Sequence, residues 1–422
     1  MKAYAADSLV ESMGANVHLH YDSKDAAGNL NAYGDFEKKV VPALEYLGIR
    51  HVRDTFPAYK ATHKDSFYYQ RVRALAAKGI KFDMTISRAF QNNPETDMAR
   101  LSDYVAWTGG AVASIEGVNE PDDDPATARR LQEALYKAVK AQKLGIPVLA
   151  PSMIGNNAGL GDVGQWCDYG NMHSYAGSGK PSGPLDNDVK TKSVCWPGKQ
   201  PFVTECGYQN ATKHTGGHKP IDEASAGIYA AILFLEGFRR GFPRSFWYEL
   251  LNQYPDPGLT QKEWNFGLFR YDGSPKPAAV AIRRLLNLHF DLGKSFTPKD
   301  LDLSVKGPDT TRSLLFQHSD GSYRLDLWRD VEASAKPVEV TVKLPKPIAG
   351  YKLHPFGSET IGFTSGKEGS RQVIDITTTL DKTTLEPLYA KRSERTEVVG
   401  TGGSDTITVL LGAGLSVVEF NA

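Results

Sequence analysis

Two segments of this chain carry an apolar, strand-like run up to a glutamate. Ala113-Ser114-Ile115-Glu116-Gly117-Val118-Asn119 leads to Glu120 and Pro121, and Pro201-Phe202-Val203-Thr204 leads to Glu205 and Cys206-Gly207-Tyr208. Desolvating a carboxylate is expensive, so an acid at the end of an apolar strand has either a partner or a task. Two carboxylates facing each other across a cleft can break a glycosidic bond. One, protonated, keeps the leaving oxygen from departing as an alkoxide; the other, ionised, attacks or activates water. The plainer reading makes both of them strand-end acids in surface loops. Glu116 shares the face of Glu120 by strand period but lies deeper, and reads as an interior carboxylate paired with a neighbour.

The elements that must position these residues alternate. Strand candidates are Ser12–Leu19, His51–Arg53, Lys81–Ile86, Val112–Val118, Pro147–Ala150, Tyr169–His173, Pro201–Thr204 and Arg244–Tyr248. Helical spacing of apolar residues runs over Phe36–Leu47, Tyr69–Ala77, Ala126–Leu144, Ala224–Arg240 and Pro277–Asn287. Three junctions repeat one phrase, Leu47-Gly48-Ile49, Lys78-Gly79-Ile80 and Leu144-Gly145-Ile146, in which glycine stops a helix and an isoleucine leads into the next strand. Eight such units predict a (β/α)₈ barrel. From residue 296 the texture becomes strand after strand: Ser313–Gln317, Tyr323–Trp328, Val338–Leu344, Tyr351–Pro355, Gln372–Thr379, Thr406–Leu411 and Leu415–Phe420. The expected fold class is thus α/β, a (β/α)₈ TIM barrel over 1–295 followed by a C-terminal all-β sandwich over 296–422. The sandwich is expected to support the barrel and to hold no catalytic group. Its Trp328 reads as a packing residue, with an exposed carbohydrate platform as the alternative. Lys299–Asp302 and Lys391–Arg395 read as solvated charge clusters.

In that barrel Glu120 ends strand four and Glu205 ends strand seven, at the mouth formed by the carboxyl ends of the strands. Here the sequence resembles the glycoside hydrolases of clan A, over the whole barrel. Those (β/α)₈ enzymes carry an Asn-Glu acid/base pair after strand four and a nucleophilic glutamate after strand seven. The β-rich tail makes it similar in layout to family 39 and to bacterial exopolysaccharide hydrolases. The resemblance implies a retaining hydrolase of O-glycosidic bonds in a polysaccharide or oligosaccharide, with Glu120 as acid/base and Glu205 as nucleophile. It also implies that Arg53 supports the nucleophile, that Asn119 contacts the sugar 2-hydroxyl, that His173 and Tyr175 stand beside the nucleophile, and that Trp247 floors the sugar site, with ordinary core packing as the alternative for Trp247. His20 and Glu249, at the ends of strands one and eight, complete the expected substrate-binding set. The acid should have its pKa raised by its site, while the Arg53 guanidinium should favour the ionised nucleophile. A structural ion pair of Arg53 with Asp54 is the alternative. No cofactor and no metal is expected, and the partner is a carbohydrate.

Two rival functions compete. His18-Leu19-His20 resembles the first motif of metal-dependent amidohydrolases, but strand five offers no histidine and strand eight no aspartate, which leaves too few ligands. A barrel that binds glycans without cutting them would keep Trp247, Tyr175 and His20 but has no use for two opposed carboxylates. Lys and Arg total 49, as do Asp and Glu, so no basic surplus suits a nucleic-acid backbone. No glycine loop of the phosphate-binding or dinucleotide-binding type occurs. No apolar run is long enough to span a membrane. Met1-Lys2-Ala3-Tyr4-Ala5-Ala6-Asp7 lacks the apolar core of a signal peptide. The expectation is a secreted or periplasmic protein whose leader is absent here, with a cytoplasmic location as the alternative. Nothing in the sequence sets an oligomeric state. Of three cysteines, Cys206 directly follows Glu205 and invites a nucleophile reading, but a thiol at the end of an apolar strand reads better as a buried hydrophobe, while Cys167 and Cys195 flank a loop and can pair. Asp122-Asp123-Asp124 reads as a solvated acidic turn, with a calcium loop as the alternative. Three long stretches, Ala176–Pro197, Gln209–Ile221 and Asn252–Asn265, follow strands six, seven and eight and should shape the cleft.

Overall fold

All eight expected barrel strands form. In order they are Met13–Asn16, His51–Phe56, Lys81–Ile86, Val112–Glu116, Val148–Leu149, Gly170–Ser174, Pro201–Cys206 and Ser245–Trp247, and they pair in parallel in that order around one sheet. The computed structural model describes residues 1–58, 63–356, 361–365, 373–374, 398–401, 403 and 405–422. Strand eight pairs back to strand one, with Ala15 opposite Trp247. The thinnest seam lies between strands five and six. There a single bridge joins Leu149 to Tyr169, and the Ala150 N–H donates to the Tyr169 carbonyl at 3.0 Å.

The helix stops act as their glycines suggest. Gly48, Gly79 and Gly145 sit at φ of 74°, 87° and 68°, the left-handed region where a side chain is disfavoured. Phe36–Leu47 is helical throughout, beginning with a wide π turn over Phe36–Val40. Strand four ends at Glu116, short of the expected Val118. At Gly117 a Cβ would come within 2.3 Å of the Gln132 amide oxygen, so helix Pro125–Ala141 packs directly on this bare backbone. The chain then crosses to strand five's continuation, where Asn119 bridges Ser152. The stretch expected as a loop after strand six contains a helix, Leu185–Lys192.

By compactness the chain divides into two units. One comprises Glu11–Asp222 and Glu236–Lys276; the other comprises Met1–Val10, Glu223–Leu235 and Pro277–Ala422. The second unit contains two antiparallel-rich sheets. The six-stranded one runs in the order Ala3–Ala5, Thr311–Gln317, Tyr323–Arg329, Ser416–Phe420, Gly350–Pro355 and Val398–Thr401; the five-stranded one is Ser304–Lys306, Val338–Lys343, Thr406–Leu411, Ile361–Ser365 and Val373–Ile374. A shared core that includes Leu315, Leu325, Leu327, Val340, Val342, Leu353, Val409 and Val418 fills the space between them. Strand alternation supplies these inward residues from both sheets. The first strand was not expected: Ala3, Tyr4 and Ala5 pair in parallel with Leu315, Phe316 and Gln317, so the amino terminus completes the sandwich edge. Trp328 is fully buried and presents no platform to a glycan. Of the expected strand Gln372–Thr379 only Val373–Ile374 lies among the described residues, and Lys391–Arg395 lies outside them. Among the described residues no helix is long and apolar enough to cross a membrane.

Candidate active site

The barrel mouth gathers the two glutamates. Glu120 leaves strand four in a left-handed conformation, φ 44°, which for a residue with a side chain costs about 1–3 kcal/mol and persists only where neighbours enforce it. Three contacts do so. Its N–H donates to the Ser152 carbonyl at 3.1 Å, its own carbonyl accepts from the Arg88 guanidinium, and the preceding Asn119 is held by Arg53 Nη2 at 2.7 Å. The acidic turn that follows is built in, not merely solvated. Asp122 accepts from the backbone N–H groups of Ile154, Gly155 and Asn156 at 2.9, 2.7 and 2.6 Å, Asp123 pairs with Arg88 at 2.8 Å, and Asp124 caps helix Pro125–Ala141 through the Thr127 N–H at 3.1 Å.

Glu205 is aimed by a bulge. Met172 pairs with Val203 but His173 with Glu205, and on the other side Val203 pairs with Ser245 but Cys206 with Trp247. Both neighbours therefore skip one residue of strand seven. A bulge breaks the alternation of faces, so two successive side chains turn the same way. The Thr204 hydroxyl bonds Asn171 Oδ1 inside the barrel at 2.6 Å, and the Glu205 carboxylate lies just above, on Arg53 and Tyr175.

Arg53 is the hub. Nη1 donates to Glu205 Oε1 at 2.7 Å and to Asn16 Oδ1 at 2.9 Å; Nη2 donates to Asn119 and to Glu116 Oε2; Nε donates to Glu116 Oε1 at 2.5 Å. Glu116 is the paired interior carboxylate that the strand period suggests. Burial raises its pKa, yet the Arg53 charge and hydrogen bonds outweigh this and hold it low. Below it, burial and the Glu116 charge push Asp83 well above the carboxylate range. The Asp54 pairing is excluded for Arg53: Asp54 accepts instead from the Leu19 N–H at 3.1 Å and faces His20 at 3.7 Å.

The second oxygen of Glu205 accepts from the Tyr175 hydroxyl at 2.7 Å. His173 Nδ1 lies 2.7 Å from Glu120 Oε1 and 3.4 Å from Glu205 Oε2, between the two acids. Helix Leu185–Lys192 holds this strand end, since Lys192 Nζ donates to the His173 carbonyl at 2.8 Å and Asp188 accepts from Ser174 at 2.6 Å. The Glu205 side chain is 9% exposed and that of Glu120 32%, so one acid is sunk in the floor and the other stands at the rim. The sequence expectation that the site raises Glu120 is not met in the free protein. Burial does push it up, but the His173 hydrogen bond and the charges of His173 and Arg53 prevail, and the net shift is downward.

Two expected sugar contacts are corrected. Trp247 is 1% exposed, its indole N–H donates to the Phe266 carbonyl at 3.2 Å, and it cannot floor a sugar. It packs against Gly207 and Tyr208, while the next residue, Tyr248, is only half-buried and turns its ring to His18 and Phe266 at 5.6 and 5.3 Å. Glu249 is fully buried, accepting from Tyr33 and Gln253, and touches no solvent. His20 is the exposed member of its pair, its side chain 42% accessible at the rim. The amidohydrolase-like spacing of His18 and His20 does not build a ligand set, since His18 turns to Glu249 and His20 to Asp54.

Sequence reasoning missed several groups for want of a local signal. Lys276, long past strand eight, is buried and spends its three N–H donors on Asn210 Oδ1 and Asn252 Oδ1, both at 2.9 Å, and the Asn265 carbonyl at 3.1 Å. It thereby ties together the loops after strands seven and eight. His218, in a left-handed conformation beside Gly216-Gly217, brings its ring edge-on to Tyr175 at 4.9 Å. The three cysteines are buried free thiols, so the Cys167–Cys195 pairing does not form. Burial pushes the Cys195 thiol up to about 11 and Cys206 higher still, which removes Cys206 as a nucleophile.

Glu120, His173 and Glu205 each place one ligand-type atom within 4.8 Å of the others. Such a cluster can in principle take a divalent ion. Both Glu205 oxygens, however, already accept from Arg53 and Tyr175, and a guanidinium 2.7 Å from Oε1 opposes a second cation on the same carboxylate. The donor set fits proton and carboxylate chemistry better than metal ligation.

No protein-family model matches the sequence, and no curated protein sequence matches it. Solved structures do. A family 39 glycoside hydrolase from the gut symbiont Bacteroides cellulosilyticus aligns with a TM-score of 0.57 at 16% identity, over 97% of this chain and 82% of that one. A glucosidase from Croceicoccus marinus aligns with a TM-score of 0.54 at 12% identity, over 97% of this chain and 95% of that one. This chain shares the fold of these glycoside hydrolases, a parallel eight-stranded barrel with an added β domain.

Proposed function

We propose that the protein is a retaining glycoside hydrolase acting on an oligosaccharide or polysaccharide. The observation that carries this is the pair Glu120 and Glu205, with one carboxylate oxygen of each within 4.8 Å and His173 between them. Two carboxylates bridged by one imidazole nitrogen suit a nucleophile and an acid/base that share one anomeric carbon, the arrangement of retaining enzymes, whose carboxyl groups stand about 5–5.5 Å apart. The shared fold of solved glycoside hydrolases supports the same reading.

In the first step Glu205 attacks the anomeric carbon, the C–O bond to the leaving group breaks, and Glu120 gives its proton to the departing oxygen. In the second, Glu120 takes a proton from water, the water oxygen bonds the anomeric carbon, and Glu205 leaves as a carboxylate. Arg53 and the Tyr175 hydroxyl keep one Glu205 oxygen each oriented, so little reorganisation is needed when charge moves off it. Asn119, fixed by Arg53, presents its amide N–H₂ to the sugar. The test is hydrolysis of a panel of aryl glycosides and polysaccharides by the protein and by Glu205→Gln. Turnover that the variant lacks supports the reading; binding of glycans with no turnover by either would make it a lectin-like barrel.

A further inference from the structure

The two acids are held in different ways. Both oxygens of Glu205 accept from side chains, Oε1 from Arg53 and Oε2 from Tyr175, each at 2.7 Å. The Glu120 carboxylate has one such partner, His173 at Oε1, and its Oε2 takes no hydrogen bond from any described residue. What fixes Glu120 is its backbone. Its N–H lies 3.1 Å from the Ser152 carbonyl and 3.3 Å from the Ser152 hydroxyl oxygen, and its carbonyl accepts from Arg88 Nη2. The left-handed φ of 44° aims the side chain, and such a conformation persists only where the surroundings over-determine it.

Arg88 comes to that carbonyl from a fixed base. The 3₁₀ turn Arg88–Asn92 follows strand three and is capped by Ser87, whose hydroxyl oxygen accepts from the Ala89 N–H at 3.2 Å. The Ser87 N–H donates to the Phe56 carbonyl at 3.2 Å, and Phe90 is fully buried, its ring meeting Tyr104 with centroids 6.0 Å apart. From there the guanidinium reaches the exit of strand four, where Nη1 donates to Asp123 at 2.8 Å while Nη2 holds the Glu120 carbonyl. Asp123 follows Glu120 by three residues, so one planar fork closes both ends of the same turn. The Arg88 and Asp123 side chains are 48% and 69% exposed, and a surface ion pair of that kind adds little to stability. The pair suits the setting of a geometry better than the holding of the fold.

We propose that Arg88 is a positioning residue for the acid/base: with Asp123 it clamps the Glu120 peptide in its left-handed turn and so directs the free Oε2 at the glycosidic oxygen. The inference rests on the glycosidase reading with Glu120 as the acid. Arg88 reaches the Glu120 carbonyl and not its carboxylate, so its effect is confined to the steps in which Glu120 moves a proton. In the first, the proton passes from Glu120 to the leaving oxygen as the C–O bond breaks; in the second, Glu120 takes a proton from the attacking water. Both need the carboxyl within hydrogen-bond reach of its partner. Attack by Glu205, held by Arg53 and Tyr175, does not depend on Arg88.

The experiment uses the full chain and two aryl glycosides of one sugar, with phenol and with dinitrophenol as leaving groups. Arg88→Met should lower kcat/KM for the phenyl glycoside by about tenfold or more, since a misplaced donor forfeits part of the roughly 10²–10⁴-fold that general acid catalysis supplies. For the dinitrophenyl glycoside, which leaves without help, kcat/KM should stay within about twofold of the parent. Its kcat and KM should fall together, because the glycosyl–enzyme intermediate accumulates while it waits for a misplaced base. Arg88→Lys, which can keep one donor on the Glu120 carbonyl, should recover part of the loss, and Asp123→Asn should show the same pattern more weakly. If Arg88→Met folds poorly, these two variants carry the comparison. A loss of equal size on both glycosides, or variants within twofold of the parent on the phenyl glycoside, overturns the proposal. Failure of the reading it rests on looks different: the unsubstituted protein then turns over no glycoside, or Glu120→Ala itself shows no dependence on the leaving group.

Discussion

Arg53 and Glu205 meet through a 2.7 Å hydrogen bond from Nη1 to Oε1, and the same guanidinium spans Glu116, Asn119 and Asn16. One cation thus sets the floor acid, the residue before the rim acid and the barrel interior in a single geometry. Arg53→Met should therefore fail twice. It leaves Glu116 buried without its cation, a loss of about 3–5 kcal/mol by analogy with broken buried pairs. It also frees Glu205 and Asn119, so activity should fall by orders of magnitude even where the protein stays folded. Arg53→Lys should keep part of the stability but not the fork of contacts, and should remain nearly inactive. Thermal denaturation and turnover, measured on both variants, check this.

The two glutamates should separate by leaving group. Glu205→Gln is expected to abolish turnover of every substrate. Glu120→Ala should retain activity on aryl glycosides with acidic leaving groups, which need little protonation, and azide should speed it by standing in for the attacking water. Equal loss on activated and natural substrates would show that the roles are assigned wrongly.

His173 should govern the alkaline limb. Glu120 must carry a proton to act as acid, and the His173 hydrogen bond and charge keep its pKa low despite burial. Activity should accordingly decline as pH rises through that depressed value, giving an acidic optimum. His173→Phe removes the His173 hydrogen bond and charge and leaves only the Arg53 charge against burial, so the limb of kcat/KM should move to higher pH. A pH profile unchanged in position would contradict the assignment.

Lys276 should matter for both stability and rate. Lys276→Met removes one donor from each of three buried acceptors, of which Asn252 Oδ1 keeps the Gly267 N–H and the Asn265 carbonyl keeps the Asn210 N–H, at a cost on the order of 1–3 kcal/mol. The loops after strands seven and eight should loosen together, which hydrogen exchange can follow at Gln209–Ile221 and Asn252–Asn265.

The barrel was legible because its signals are local. Strand period, helix spacing and glycines such as Gly48 and Gly145 each announce themselves within a few residues. So did the paired glutamates, while Arg53, Asn119, His173 and Tyr175, which the resemblance to clan A implied, gather around them. What escaped depends on distance or on a one-residue slip. The bulge at Thr204-Glu205 leaves no mark in composition, and the resulting turn of side chains is set by both neighbouring strands. The resemblance implies a sugar-facing Trp247, yet burial depth is not encoded in the residue type: Trp247 packs in the core and Tyr248 is the more exposed of the two. Glu249 was misplaced for the same reason. The strand Ala3–Ala5 is too short to read alone, since its partner lies some 310 residues away in the chain. The lowered Glu120 pKa followed from the fine geometry of His173, which strand assignment alone does not fix.

The most direct test of the central claim is the stereochemistry of the first product. Proton NMR of an aryl glycoside reaction, recorded before mutarotation, should show the anomer with the configuration of the substrate, as required if Glu205 attacks and Glu120 directs water to the resulting intermediate. First appearance of the inverted anomer would mean that water attacks directly, and the double displacement through Glu205 would be wrong.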